Sequence, residues 1–288
     1  MHILVTGARG QLGTELKSEL ERRVPGVTDY IDREELDLTD AKAVDAFVRR
    51  GDYSHIINCA AYTAVDKAEE EKSLCHAVNT EAVRTLAAVA ADTGTKILHI
   101  STDFVFDGKS SHAYTESDKP APLSHYGATK RMGETQLLGL CPDAVIVRTG
   151  WLYSPHGHNF VKTILSHCKP GGRLRVVDDQ IGTPTYAADL AGMVADMVLA
   201  PQWLPGTYHY SNEGVASWYD FAVAIVRLAG FADSVDVLPI PSCDYPTPAE
   251  RPAFSILSKA KIKATYGVKI PHWETSLEKC LGRMVEKN

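Results

Sequence analysis

Short β-rich apolar runs alternate with longer segments of helical period through the first half of the chain, the pattern that builds a parallel sheet with helices on both faces. Residues 2–6 predict the first strand. Leu12, Leu16 and Leu20 recur every four residues and give the first helix an apolar stripe that ends near Pro25-Gly26. Residues 27–32 predict the second strand. Thr39 or Asp40 can cap a helix running to about Arg50, followed by a short apolar strand over 54–59. One long helix is expected over 73–93, with Leu74, Ala77, Val78, Ala82, Leu86 and Val89 on one face and Gly94 as its stop. A strand over 96–101, a polar loop over 108–122, a helix over 124–140 and a fifth strand over 144–149 complete this half.

Beyond Thr149 the regularity degrades. Gly and Pro punctuate the chain (Pro155, Gly157, Pro170-Gly171-Gly172) and aromatic residues cluster between short elements. Strands are expected over 173–177 and 206–211, and helices over 186–199, over 217–229 and from His272 onward. No internal repeat or low-complexity tract is visible.

Composition narrows the class. With 288 residues, 44% of them hydrophobic and 23% charged, the chain can bury one large core or two smaller ones, which excludes disordered and fibrous classes. The apolar stretches are far shorter than a membrane span, and no basic leader precedes the first strand, so a cytoplasmic protein with no membrane partner is expected. The net charge of −6, with basic residues dispersed, offers no track for a phosphodiester backbone, so nucleic acid is not an expected partner. Six singly scattered cysteines include no C-x-x-C pair, and His156-x-His158 lacks a third ligand, so no metal is expected.

Chemistry concentrates at four places. Gly7-Ala8-Arg9-Gly10-Gln11-Leu12-Gly13 stands between the first strand and the first helix, where glycines permit a tight turn, close backbone approach and helix–strand packing. The helix N-terminus then points partial positive charge at a bound pyrophosphate. Asp32 ends the second strand, where a carboxylate accepts from the adenosine ribose hydroxyls and favours NADH. Arg33 follows, and a guanidinium there could instead hold the 2′-phosphate of NADPH, so the choice of dinucleotide stays open. Tyr126 and Lys130 are four residues apart on one helix face, a spacing at which an ammonium can lower the pKa of a phenol and make it a usable acid. Ser101-Thr102-Asp103 closes the fourth strand at the carboxyl edge where open α/β sheets bind ligands, making Thr102 the candidate partner for a substrate carbonyl.

In this order, turn, strand-end hydroxyl and Tyr-x-x-x-Lys resemble the extended short-chain dehydrogenase/reductases. Further strings make the chain similar to the dTDP-4-dehydrorhamnose reductase family within them. These are residues 58–69 (NCAAYTAVDKAE), Ser101 to Gly108 (STDFVFDG), Arg148 to Tyr153 (RTGWLY), Gln180 to Thr185 (QIGTPT) with Asp189, and Arg251-Pro252. Phe104 stands where the family carries Tyr.

The resemblance implies an α/β, Rossmann-like doubly wound parallel sheet with a smaller C-terminal substrate-binding subdomain. Residues 1–150, with parts of 180–212 returning, would form the dinucleotide-binding domain, and 151–179 with 213–288 mainly the substrate-binding subdomain. It implies NADPH- or NADH-dependent reduction of the C4 ketone of dTDP-4-dehydro-6-deoxy-L-mannose. Tyr126, Lys130 and Thr102 would be catalytic. Gly7, Gly10, Gln11, Leu12, Gly13, Asp37, Leu38, Ala60, Ala61, Tyr62 and Thr63 would line the cofactor, together with Asp32, Arg33, Tyr126 and Lys130. Thr102, Asp103 and Trp151 would face the sugar, while Arg251 would meet the diphosphate or brace the final loop against a carboxylate. A homodimer is a possible assembly. Some family members join subunits through Mg²⁺; Glu15 matches one such position, but the neighbours of Asp189 are not acidic. Another nucleotide-sugar reductase or epimerase of the superfamily, or a non-catalytic dinucleotide-binding regulatory subunit, is the alternative.

Overall fold

The computed structural model describes residues 1–285. The amino-terminal half follows the predicted alternation: β1 (Ile3–Thr6), α1 (Gln11–Arg23), β2 (Thr28–Ile31), α2 (Ala41–Gly51) and β3 (His55–Asn58). Asp40, not Thr39, caps α2, its carboxylate accepting from the amides of Lys42 and Ala43.

The single helix expected over 73–93 is three pieces: α3 (Lys72–His76), a π turn (Ala77–Glu81) and α4 (Ala82–Thr93). Wider π geometry is invisible to a pattern that assumes 3.6 residues per turn. Its buried Asn79 turns inward and clamps the backbone of Tyr62, accepting from the amide at 2.9 Å and donating to the carbonyl at 3.1 Å. Gly94 ends α4 at φ 70°, the left-handed conformation its lack of a Cβ permits. β4 (Lys96–Thr102), α5 (His125–Leu140) and β5 (Val145–Thr149) follow, with Ser124 capping α5.

The second half adds β6 (Leu152–Tyr153), α6 (Phe160–His167), β7 (Gly172–Val177), β8 (Ile181–Gly182), β9 (Thr185–Tyr186), α7 (Ala187–Leu199) and β10 (Gly206–His209). It ends with β11 (Ala216–Ser217), α8 (Trp218–Leu228), β12 (Val235–Ile240), α9 (Ala260–Tyr266) and α10 (Trp273–Val285). Helices α6 and α9, strand β12 and the two-residue strands β6, β8, β9 and β11 have no counterpart in the sequence pattern. They are short, and β12 alternates apolar and polar positions only weakly, so its pairing with β7 is a tertiary fact.

Six parallel strands form one sheet in the order β10-β5-β4-β3-β1-β2. Its central strands are buried on both faces, as near-continuous Ile, Leu and Val require. One face packs against Leu12, Leu16 and Leu20 of α1 and the apolar residues of α7, and the other against α2, α4 and α5. A separate aromatic-rich cluster holds β6, α6, α8 and α10 together around Tyr153, Phe221 and Trp273. The cleft described next lies where this unit meets the carboxyl ends of β1, β3, β4 and β5.

Candidate active site

One cleft of about 940 Å³ gathers every candidate catalytic, cofactor-binding and substrate-binding residue named from the sequence. Gly7, Gly10, Gln11, Leu12 and Gly13 line one end with Asp32, Arg33, Asp37 and Leu38, while Ala60, Ala61, Tyr62 and Thr63 form a side wall. At the other end stand Thr102, Asp103, Tyr126, Lys130, Trp151 and Arg251.

The glycine turn is built by exclusion. Gly7 has φ 66°, and a Cβ there would meet the Ala60 backbone at 2.7 Å. On Gly13 a Cβ would meet the Gly7 carbonyl oxygen at 2.3 Å and Ala8 Cα at 2.6 Å, so α1 sits directly on the turn. Gly10, the N-cap of α1, supplies no side-chain cap, which leaves the helix N-terminus presented to the cleft. These features fit a dinucleotide pyrophosphate. Gln11 does more than line the turn: its amide oxygen accepts from Asn159 (2.9 Å) and Ser154 (3.2 Å), tying the turn to the loop after β6.

At the ribose end, the Asp32 carboxylate accepts from the backbone amides of Arg9 (2.9 Å) and Arg33 (2.8 Å). The Arg33 side chain is 77% exposed and lies 3.4 Å from Asp37. Arg9, which the sequence reading passed over, lines the same rim, its guanidinium held by Glu34 and Glu35.

Tyr126 and Lys130 are both buried on α5. Lys130 Nζ turns toward β4, donating to the Ile100 carbonyl at 2.7 Å and lying 3.2 Å from His99 Nε2. Burial lowers its pKa to about 8. The expected lowering of the phenol by this ammonium is corrected here: burial dominates and pushes the Tyr126 hydroxyl well above its ordinary value, opposed by a hydrogen bond with Thr102 and reinforced by the charge of Asp103. Thr102 serves twice, because its hydroxyl also accepts from the amide of Phe104 at 3.2 Å and caps the turn after β4. Burial raises Asp103 to about 6 against the hydrogen bonds of Ser255 and Thr102.

Trp151 takes φ 51°, uncommon for a side-chain-bearing residue, and stacks on Trp218 with centroids 3.5 Å apart and planes 5° from parallel. Gly182 is required beneath it, since a Cβ there would meet the indole at 2.6 Å. Gln180 and Ser255, which lie in or beside the family strings but carried no role there, also line the cleft, as does Trp218, which no sequence pattern singles out because only the tertiary fold brings it beside Trp151. Of the two roles left open for Arg251, the structure shows the brace: its guanidinium donates to Asp66 at 2.9 Å while facing the cleft.

Glu15 is buried and accepts from Arg283 at 2.9 and 3.0 Å, and Asp189 accepts from Asn212 at 2.7 Å. Among the described residues no group of three or more His, Cys, Asp or Glu side chains is placed to hold a metal ion.

Residues 1–286 match the family described as the RmlD substrate binding domain. A dTDP-4-dehydrorhamnose reductase of Aggregatibacter actinomycetemcomitans is 40% identical over 284 residues, covering 96% of this chain and 97% of that protein. The chain belongs to the dTDP-4-dehydrorhamnose reductase family. A family structure from Bacillus anthracis, a dTDP-4-dehydrorhamnose reductase in complex with NADP, superposes with a TM-score of 0.93 at 38% identity, covering 98% of this chain and 99% of that one. A dTDP-4-keto-6-deoxy-D-glucose reductase of Streptomyces niveus is 40% identical over 275 residues, covering 95% of this chain and 94% of that protein. The family frame thus holds reductases of more than one 4-keto sugar. No helix among the described residues is long and apolar enough to cross a membrane.

Proposed function

We infer that the enzyme reduces the C4 ketone of dTDP-4-dehydro-6-deoxy-L-mannose to give dTDP-L-rhamnose, using NADPH or NADH. The observation that carries this reading is the convergence of Thr102, Tyr126 and Lys130 with the glycine turn on one cleft, in a chain matched over 96% of its length by a reductase of this activity.

A reduced dinucleotide seated on Gly7, Gly10, Leu12 and Gly13 supplies the hydride. The residues of the chain do the rest. Tyr126 holds the proton at its hydroxyl, and its high proton affinity makes it a donor that stays protonated until an alkoxide develops beside it. Thr102, hydrogen-bonded with Tyr126, orients the carbonyl oxygen, so that two hydroxyls converge where negative charge appears. Lys130 holds the ribose side of the cleft and sits too deep for bulk water.

Asp32 and Arg33 address the adenosine ribose, with Asp37 and Leu38 on the adenine side and Ala60, Ala61, Tyr62 and Thr63 along the nicotinamide wall. Trp151 and Asp103 face the sugar, and Arg251 is near enough to the cleft to meet a diphosphate on release from Asp66. Residues 1–150 act as the dinucleotide-binding domain, with parts of 180–212 returning to it, and 151–179 with 213–288 mainly as the substrate-binding subdomain. A homodimer in the cytoplasm is the assembly proposed, and light scattering of the purified chain reads it.

The test is consumption of NADPH or NADH in the presence of the 4-keto sugar, with NMR of the reduced sugar. A rhamno product supports the reading, and another C4 or C5 configuration assigns the enzyme to a different sugar reductase. Cofactor binding without turnover would return it to a regulatory role.

A further inference from the structure

We propose that His99 is the positioning residue that sets the proton affinity of Lys130, through a ring tautomer fixed by Asn58. The proposal rests on the catalytic reading of Lys130 given above. His99 lies on β4, fully buried, between Asn58 at the end of β3 and Lys130 on α5. The amide orientation of Asn58 is determined by its neighbours. Its oxygen accepts from the backbone N–H of Ala60 at 3.2 Å, an obligatory donor, and from the Thr6 hydroxyl at 2.7 Å. Its nitrogen therefore faces His99 and donates to Nδ1 across 3.0 Å.

An imidazole that accepts at Nδ1 carries its proton on Nε2, and Nε2 is the atom 3.2 Å from Lys130 Nζ. A ring N–H thus points at the amine. A neutral amine can accept that proton, whereas an ammonium can only place donor against donor. Burial, opposed by the charge of Glu134, leaves the amine at about 8, and burial together with the charge of Lys130 keeps His99 far below its ordinary range, so the imidazole stays neutral.

Glu134 acts on Lys130 through its charge and raises its proton affinity, but no other group facing Lys130 places a hydrogen against the amine. Burial pushes the thiol of Cys59, just after β3, up to about 12, and raises that of Cys75 on α3, so both are neutral. Glu134, one turn along α5, is engaged by Arg148 at 2.7 Å and by Ser101. Tyr126, one turn before, remains protonated. His99 is therefore the neighbour whose hydrogen position decides how easily Lys130 holds its third proton. That proton matters because only the ammonium can donate to the Ile100 carbonyl and a ribose hydroxyl while its charge favours proton release by Tyr126.

Two measurements test the proposal. The first is long-range ¹H–¹⁵N NMR of the histidine-labelled enzyme without substrate, with His99 assigned by a His99→Gln variant. A neutral ring protonated on Nε2 from mildly acidic to alkaline pH is expected; a ring protonated on Nδ1, or an imidazolium, overturns the proposal. The second is the pH profile of kcat/KM. Activity falls as pH rises through the Lys130 value of about 8. In His99→Gln an amide oxygen can accept from the ammonium, and in Asn58→Asp the carboxylate draws the ring proton to Nδ1 and leaves Nε2 to accept. Either change should move the alkaline limb upward by ~1 pH unit. An unmoved limb in a variant that keeps the wild-type melting temperature and NADPH affinity overturns the proposal. The NMR result stands even if the sugar assignment fails, so the two failures are separable.

Discussion

Replacing Gly13 with alanine tests the phosphate turn at its tightest point. The new Cβ would stand 2.3 Å from the Gly7 oxygen, 2.6 Å from Ala8 Cα and 2.8 Å from the Ala8 carbonyl carbon, all backbone. No side chain can swing away, so α1 must shift from the turn by about an ångström or the turn must open, at a cost of roughly 1–3 kcal/mol. For a chain of this size that lowers the melting temperature by roughly 2–12 °C. The same displacement moves the N-terminal amides of α1 off the pyrophosphate, and loss of one or two charge-assisted bonds weakens NADPH by about tenfold or more. Gly10→Ala is the internal comparison, because a Cβ there meets only the Gly7 oxygen at 3.2 Å and needs a few tenths of an ångström. Its melting temperature should stay close to wild type. Thermal unfolding and fluorescence titration with NADPH read both quantities. A Gly13→Ala protein that matches wild type in stability and affinity would refute the reasoning, since the close approach of helix to turn would then carry no consequence.

Tyr126→Phe should keep NADPH affinity near wild type while turnover falls by roughly a hundredfold or more, because the ring still packs on Phe104 but the proton donor is gone; an effect confined to KM would contradict the assignment. Trp151→Ala removes the stack on Trp218 but leaves a Cβ at the positive φ, so kcat/KM for the sugar should drop by about 2–4 kcal/mol in transition-state terms with NADPH affinity retained. A parallel loss of melting temperature and cofactor binding would instead make Trp151 a packing residue. Arg33→Ala should weaken NADPH more than NADH by about three- to tenfold, its exposure keeping the effect small; equal changes would leave the ribose pocket to Asp32 alone. Glu134 is buried, which raises its pKa, yet Arg148, Ser101 and Arg131 outweigh this and hold it below the ordinary carboxylate range. Its folded value being depressed, its contribution is present above the unfolded value and lost as pH falls through the folded one. Glu134→Gln should therefore lower the melting temperature clearly at neutral pH and progressively less in acid; a pH-independent difference would assign the loss to packing.

What the sequence determined by itself is what local spacing can encode. Three glycines between a strand and an apolar helical stripe define a phosphate turn, because the positive φ of Gly7 and the contacts of Gly10 and Gly13 with Gly7 and Ala8 are local, even though the space around Gly7 is closed by Ala60 just after β3. Tyr126 and Lys130 share a face because four residues make about one helical turn. Thr102 stands at the ligand edge because it ends a strand in an alternating α/β pattern, where the crevice forms. The βα order likewise predicted the parallel sheet.

Only the tertiary structure decided how these parts engage. The proton on His99 is set by Ala60 and Thr6 acting through Asn58, across three adjacent strands whose registry no single stretch of sequence contains. Lys130 turned to Ile100 and His99 because its helix packs over β4, and burial reversed the pKa change expected for Tyr126. The π turn that lets Asn79 clamp Tyr62 departs from helical period, which is why periodicity read straight through it. Trp218 reached Trp151, and Arg251 reached Asp66, over separations at which a linear pattern carries no information about contact. Local rules fix which face a side chain shares; desolvation and long-range packing fix what it meets there, and the chemistry depends on both.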